Sequence, residues 1–368
     1  MSFPVTAVRS ALASWPLVLP PLAFIVLLLT WGRRPGPAVV VVVALLLIAA
    51  VLSAVQHAEV VAHWVGEPFG SLILAVAVTV IEVGLIVTLM VSGGPKTSTL
   101  ARDTVFAAVM ITCNGILGLS LLTGSTRFRL AVFNAEGAVA GLGTVATLAT
   151  LSLVLPRFTL GRAGPQFSPA QLGFAAAASL LVYVMFVVTQ NVRHRDFFLP
   201  VNDDGVIATE EHAAPPAART GVASLALLLL SLVAVVGLAK TESPAIESGL
   251  KAAGLPQSFV GVVIALLVLL PETLTAVRAA HRNRVQISIN LAFGSAIASI
   301  GLTIPVIAAA SRWLEGPLLL GLSPTQIVLL AVTIVVGGLT VIPGRATRLQ
   351  GGIHLILLAA FLFLAIKP

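Results

Sequence analysis

The chain has 368 residues, 58% of them hydrophobic and only 10% charged, whereas an ordinary soluble domain carries about 25% charged residues. So few charges cannot coat a soluble fold of this length, which excludes a soluble enzyme, a nucleic-acid binder and a disordered chain and leaves an integral membrane protein. The net charge of +7 is scattered over short loops, where it reads as flanking charge against anionic lipid, and a single cysteine, Cys113, excludes an intrachain disulfide.

A bilayer-spanning helix needs about 20 mostly apolar residues. Runs of that kind predict an all-α, polytopic protein of eleven transmembrane helices, near 15–31, 37–56, 68–92, 103–123, 130–155, 169–190, 221–240, 257–279, 284–310, 323–341 and 351–367. The runs are too long and continuous for barrel strands, which alternate over about 10 residues. No cleavable leader is expected, because no small-residue cleavage site follows the first run. Residues 1–36 then hold one extra helix and residues 37–190 a first set of five. Residues 191–220 are a polar, partly acidic linker, and residues 221–368 hold a second set of five. Pro and Gly punctuate the loops, as in Arg33-Arg34-Pro35-Gly36-Pro37 and Pro343-Gly344-Arg345.

Along the first set, His57-Ala58-Glu59-Val60-Val61-Ala62-His63 lacks the spacing of a zinc motif. It reads as an interfacial segment, with Glu59 and Glu67 as a cation vestibule. Next come Glu82, with Thr79 one turn before it, then Asn114 and Gly118 on a shared helix face, and then Glu136. Gly137 and Gly141 form a G-x-x-x-G, a helix-packing pattern. The linker carries Asp203, Asp204, Glu210 and Glu211. It reads as a solvated connection or, alternatively, as a regulatory strip that gathers cations. In the second set Glu272 follows Pro271, whose missing N–H releases the carbonyl of Leu267 as a candidate ligand. Ser295, Ser299 and Thr303 recur every fourth residue and line one face, and Gly294 and Gly301 are expected to admit another backbone.

Glu82, Glu136 and Glu272 are read as lying deep in apolar spans, where an ionised side chain costs about 2.5–3.5 kcal/mol or more. Glu82 and Glu272 occupy matching places in the two halves, with no Lys or Arg at equal depth. Such a pair must share protons or hold a cation. A Ca²⁺ ion takes about 6–8 oxygens from carboxylates, carbonyls, amides and water, so Asn114, Ser295 and Ser299 are the candidate partners of the two acids, with Thr79, Leu267 and Glu136 behind them. Repeats of five spans insert in opposite orientations, and inverted repeats with a midplane site mark secondary transporters. Counting Lys and Arg in alternate loops splits the 21 almost evenly, so charge does not set orientation.

The stretches GEPFGSLILAVAVTVIEV (66–83), ARDTVFAAVMITCNGILGLSLL (101–122) and LPETLTAVRAAHRNRVQISINLAFGSAIASIGLTIP (270–305) resemble the cation/calcium exchanger superfamily. More narrowly they resemble its bacterial ChaA-type calcium/proton antiporters. The resemblance implies eleven helices, two inverted five-helix repeats and one glutamate per repeat as cation ligand. It also implies exchange of cytoplasmic Ca²⁺, and of Na⁺ or K⁺, for protons across a bacterial inner membrane, with the N-terminus and linker in the cytoplasm. Asn114 matches the family's asparagine on the helix after the first glutamate, with Ser299 as its counterpart. Where many relatives carry Gly-Asn-Ala before each glutamate, this chain has Thr79-Val80-Ile81 and Leu269-Leu270-Pro271, so those amide ligands are absent. The expected reading is an ion antiporter with no cofactor and no nucleic-acid partner. A monovalent cation/proton antiporter, a passive cation channel and a membrane-embedded enzyme are the alternatives.

Overall fold

The computed structural model describes residues 5–33, 35–66, 69–201, 216–314 and 316–367. Asp203, Asp204, Glu210 and Glu211 of the linker lie outside the described residues, as does Glu67. Among the described residues there are eleven long helices: α1 (Val5–Thr30), α2 (Pro37–Val65), α3 (Phe69–Gly93), α4 (Leu100–Phe128), α5 (Ala135–Arg157), α6 (Pro169–Arg193), α7 (Ala218–Ala252), α8 (Phe259–His281), α9 (Val285–Ala310), α10 (Pro324–Val341) and α11 (Arg348–Ile366). Ten of these are long and apolar enough to cross a membrane, and α1 adds a shorter apolar stretch, Trp15–Thr30. The protein is an all-α, multi-pass membrane protein.

The helix starts follow local chemistry. Ser168, Ser323 and Thr347 each form a capping box with Gln171, Gln326 and Gln350, and Pro169 and Pro324 occupy first-turn positions where no N–H is needed. Several helix ends differ from the hydropathy reading, and α1 already begins at Val5 rather than near 15. Helix α7 continues through Pro244 to Ala252 rather than ending near 240. The segment His57–His63 forms the last turns of α2, which runs to Val65 rather than ending near 56.

By their internal contacts the helices fall into two compact units. One comprises Met1–Ser92 with Ala213–Gly249, and the other Gly93–His212 with Leu250–Pro368. In the first unit, α1 packs on α2 through a backbone gap that its own sequence opens. Pro20 has no N–H, so the carbonyl of Pro16 loses its helical partner. Two polar groups of α2 replace that partner: Ser53 Oγ donates at 3.0 Å and His57 Nε2 lies at 2.9 Å. Both residues are buried, so the gap is closed by side chains rather than by water. On α3, Gly84 lets α7 approach, and a Cβ there would sit 2.6 Å from Val236.

In the second unit α4 is the central column, with 89% of its most apolar stretch buried against 17% for α11. It packs against α8, α9 and α11, and α9 packs in turn on α5, α6 and α8. Halfway along α4, residues Ile111–Ile116 widen into a π-helical turn, a distortion that concentrates at functional sites. Glycines set the close approaches. Gly137 lies against the Phe197 carbonyl and Gly141 against Phe293, at 2.9 Å from where a Cβ would be, so the G-x-x-x-G is a packing surface. Gly301 packs on Tyr183, but nothing lies within 4 Å of a Cβ at Gly294. The expectation that Gly294 admits another backbone is therefore corrected, since α9 is open there.

The loops of this unit sort by helix parity. The α4–α5 and α10–α11 loops pair as two-residue antiparallel strands, β1 (Ala131–Val132) and β2 (Arg345–Ala346). Arg348 Nη2 donates to the Thr126 carbonyl at 3.2 Å, and Arg127 meets His281 at 2.9 Å. The other set of loops is joined by Leu319 N to Ser98 O at 3.1 Å and Gly321 N to Pro165 O at 2.9 Å. Each contact joins loops that an alternating path through the bilayer places on one side.

Candidate functional site

Each unit places its glutamate by itself. In the first unit Glu82 lies in the middle of α3 with 2% of its surface exposed, and Thr79, one turn earlier, is buried as well. Ile81, Val83, Leu85 and Ile86 around it are buried apolar residues. An ionised carboxylate is costly to bury in such surroundings.

In the second unit Glu272 lies halfway along α8, 9% exposed and directly after Pro271. Leu267, one turn before Pro271, is half-buried. Thr273 Oγ1 donates to the Leu269 carbonyl at 2.7 Å, and Ser288 Oγ of α9 donates to the Ala276 carbonyl at 2.6 Å, so α9 is clamped to α8 one turn beyond Glu272. On α9, Ser295 is half-buried beside the open surface at Gly294, while Ser299 and Thr303 are buried at 4% and 0% exposure. Thr303 Oγ1 has no hydrogen-bond partner among the described residues. The polar stripe therefore runs from an open end to a closed one.

Asn114 is fully buried in the π-turn of α4, and both ends of its amide are engaged. Its Nδ2 donates to Thr333 Oγ1 of α10 at 2.9 Å, and its Oδ1 lies 3.0 Å from His354 Nδ1 of α11. The ring's Nε2 lies 3.2 Å from Thr340 Oγ1, and Thr333 Oγ1 is 3.6 Å from Met110 Sδ. Gly118 shares the Asn114 face as its spacing requires. A Cβ at Gly118 would stand 3.0 Å from the His354 Cβ and 3.1 Å from the Gly351 carbonyl, so the bare backbone at Gly118 is what admits α11.

Glu136 is corrected. It is exposed in the first turn of α5, where Asn134 Oδ1 caps its backbone N–H at 3.0 Å. There its charge favours the helix N-terminus and carries no burial cost. The sequence reading also missed Glu242 on α7, which is 3% exposed and whose Oε1 has no hydrogen-bond partner among the described residues. Its neighbours Thr241, Ser243 and Pro244 give the composition of a loop, which hid it. His354, Thr333 and Thr340 were missed for a different reason, since each is a lone polar residue in an apolar run. Among the described residues no group of three or more His, Cys, Asp or Glu is gathered closely enough to hold a metal ion.

Comparison with known proteins gives the family and the fold. The sequence profile of the family described as Sodium/calcium exchanger protein matches residues 36–192 and 223–367. A protein of Sinorhizobium fredii described as a putative ionic transporter, y4hA, is 46% identical over 355 residues, covering 95% of this chain and 91% of its own. The sodium-potassium/proton antiporter ChaA of Escherichia coli is 34% identical over 360 residues, covering 97% of each chain. The solved structure of native YfkE overlays with a TM-score of 0.70 at 16% identity, covering 96% of this chain and 99% of that one. The H⁺/Ca²⁺ exchanger CAX does so with a TM-score of 0.69 at 17% identity, covering 96% and 87%. These overlays show a shared fold, and the relatives are ion transporters rather than enzymes. By its profile matches and by relatives aligned over nearly its whole length, the chain belongs to the sodium/calcium exchanger family.

Proposed function

We propose that this cation antiporter exchanges Ca²⁺, and also Na⁺ or K⁺, for protons across a bacterial inner membrane, with its N-terminus in the cytoplasm. In this reading residues 37–190 and 221–368 are inverted five-helix repeats, 1–36 an added helix and 191–220 a cytoplasmic linker. Glu82 and Glu272 are the acids for which cation and proton compete. Asn114, Ser295 and Ser299 supply neutral oxygens to the cation, and Thr79 and the Leu267 carbonyl stand next in line. The observation that carries the reading is the burial of one glutamate in the middle of an apolar helix in each half of a family member. Two carboxylates bring a charge of −2, which matches one divalent ion or two protons. A carboxylate that binds either at one place couples the two fluxes once access alternates between the sides.

A monovalent cation/proton antiporter is the second reading. It is favoured by the name of the Escherichia coli relative and by Thr79-Val80-Ile81 and Leu269-Leu270-Pro271 standing where Gly-Asn-Ala would add amide oxygens. Proteoliposomes with an imposed pH gradient separate the two. Proton release on adding Ca²⁺, lost in Glu82→Gln, supports calcium exchange. Release on adding Na⁺ or K⁺ but not Ca²⁺ selects the second reading. Downhill cation flux that ignores the pH gradient would turn both down in favour of a channel.

A further inference from the structure

We propose that Glu242 is a proton carrier of the antiporter, an acid on α7 that takes up a proton from the side where α3 and α7 end and hands it on toward the depth of Glu82. The inference rests on the reading that cation and proton compete at Glu82. Both acids belong to one compact unit. Three polar residues share one line along α7. Ser224, Ser231 and Glu242 stand seven and eleven residues apart, each nearly a whole number of helical turns, and they are 5%, 0% and 3% exposed. Leu228, Val235 and Leu238 between them are buried apolar residues, so the line is polar inside a packed face. Ser231 Oγ and Glu242 Oε1 have no hydrogen-bond partner among the described residues, whereas a glutamate that served packing alone would have a donor for its oxygens. Lys240 does not neutralise the acid, because it is exposed and its Nζ lies over the Trp31 ring at 5.0 Å. A buried carboxylate without a counter-charge binds a proton or a cation, and a single acid among aliphatic neighbours suits the proton.

The depth of Glu242 follows from the packing of α3 and α7. Both helices begin beside the last turn of α2, Gly70 against the Ala62 carbonyl and Gly221 against the Trp64 ring, and they touch again where Gly84 meets Val236. They therefore run in parallel, with Ser231 level with Thr79. Glu242 lies eight residues, about 12 Å, beyond the level of Glu82 toward the ends of both helices. Past Glu242 the helix opens: Ala245, Ile246 and Glu247 are half-buried, Ser248 and Gly249 are exposed, and nothing lies within 4 Å of a Cβ at Gly249. Pro244 has no N–H for the Lys240 carbonyl, so α7 also lacks the backbone hydrogen bond that would span Glu242. The acid thus stands between an open helix end and the depth of Glu82. The remaining gap exceeds one hydrogen bond, so the proton crosses it over bound water and the Ser231 hydroxyl. Glu242 gains one proton from the open side, loses one inward and ends the cycle as it began.

The test uses the full chain in proteoliposomes and compares two fluxes of labelled Ca²⁺ and, separately, of labelled Na⁺. Proton-coupled uptake is driven by a pH gradient. Self-exchange is measured with the same cation at equal concentration and equal pH on both sides, where no proton need move. For the preferred cation, Glu242→Gln should lower proton-coupled uptake about tenfold or more and leave self-exchange within about twofold of the parent. Glu242→Asp, which keeps the acid, should recover most of the coupled rate. Coupled uptake at the parental rate in Glu242→Gln overturns the proposal. So does an equal loss of both fluxes, which would place Glu242 at the cation or in the fold instead. Glu82→Gln should abolish both fluxes. If it leaves both intact, the reading of Glu82 fails and the proposal with it, whatever Glu242→Gln shows. Should Glu242→Gln not give a monodisperse protein, Glu242→Leu, apolar among apolar neighbours, is read by the same criteria.

Discussion

At the scale of single residues, isolation in the sequence separates what could be read from what could not. Glu82 and Glu272 are legible because each stands alone in a long apolar run, and the structure buries both, at 2% and 9% exposure. His354 stands as much alone, yet its meaning depends on Asn114, Thr333 and Thr340, which only the packing of three helices brings to it. Glu82→Gln and Glu272→Gln preserve size and remove the charge that cation and proton would share. Each should reduce proton-coupled cation uptake at least about 100-fold without lowering the thermal midpoint of the detergent-solubilised protein, since a buried ionised group is costly to keep. Uptake within a fewfold of the parent in either variant would remove that glutamate from the site. Glycines give a second contrast. Gly118→Ala pushes a methyl against the His354 Cβ and the Gly351 carbonyl, and overpacking of this kind costs about 1–3 kcal/mol. Gly143→Ala meets nothing within 4 Å and should be neutral or stabilise by up to about 1 kcal/mol. Thermal unfolding of the two variants side by side measures the difference, and equal midpoints would contradict the packing at Gly118.

At the scale of elements, hydropathy found each of the eleven long helices among the described residues, because a span must bury its own backbone and advertise that in about 20 apolar residues. The ends are less legible. Helix α7 runs on to Ala252 through a Thr-Glu-Ser-Pro stretch that reads as a loop, and Glu242 was lost with it. Glu136 was placed too deep because apolar residues precede it, although Asn134 two positions earlier is a helix-capping residue. Internal prolines are legible as causes but not as contacts. Pro20 announces a free carbonyl at Pro16, yet nothing in the sequence says that Ser53 and His57 will take it. A thermodynamic cycle tests the causal link. Ser53→Ala should destabilise by about 1 kcal/mol, and by less when Pro20→Ala restores the missing N–H. Equal losses in the two backgrounds would mean that Ser53 stabilises through something other than the Pro16 carbonyl.

At the scale of the whole molecule, the division of the chain into halves and its division into compact units are different cuts. One unit takes α1, α2, α3 and most of α7, and the other takes the remaining helices, so Glu82 and Glu272 belong to different units. The order of spans carries no sign of this, because which helices bury which is set by side-chain fit across distant parts of the sequence. If cation and proton compete for the same carboxylates, the competition must appear as a pH dependence of cation affinity and not merely of rate. A carboxylate that holds a proton cannot hold the cation, so lowering the pH on the cation side must raise KM, and raising the pH must lower it until the acids are empty of protons. Where both acids start protonated and both must lose the proton, KM should fall by up to about 100-fold per pH unit, and by about tenfold where one proton is displaced. Uptake measured in proteoliposomes across pH 6 to 9, with the internal pH held constant, reads the slope directly. A KM that stays flat while only the maximal rate changes would place the proton somewhere other than on the groups that bind the cation.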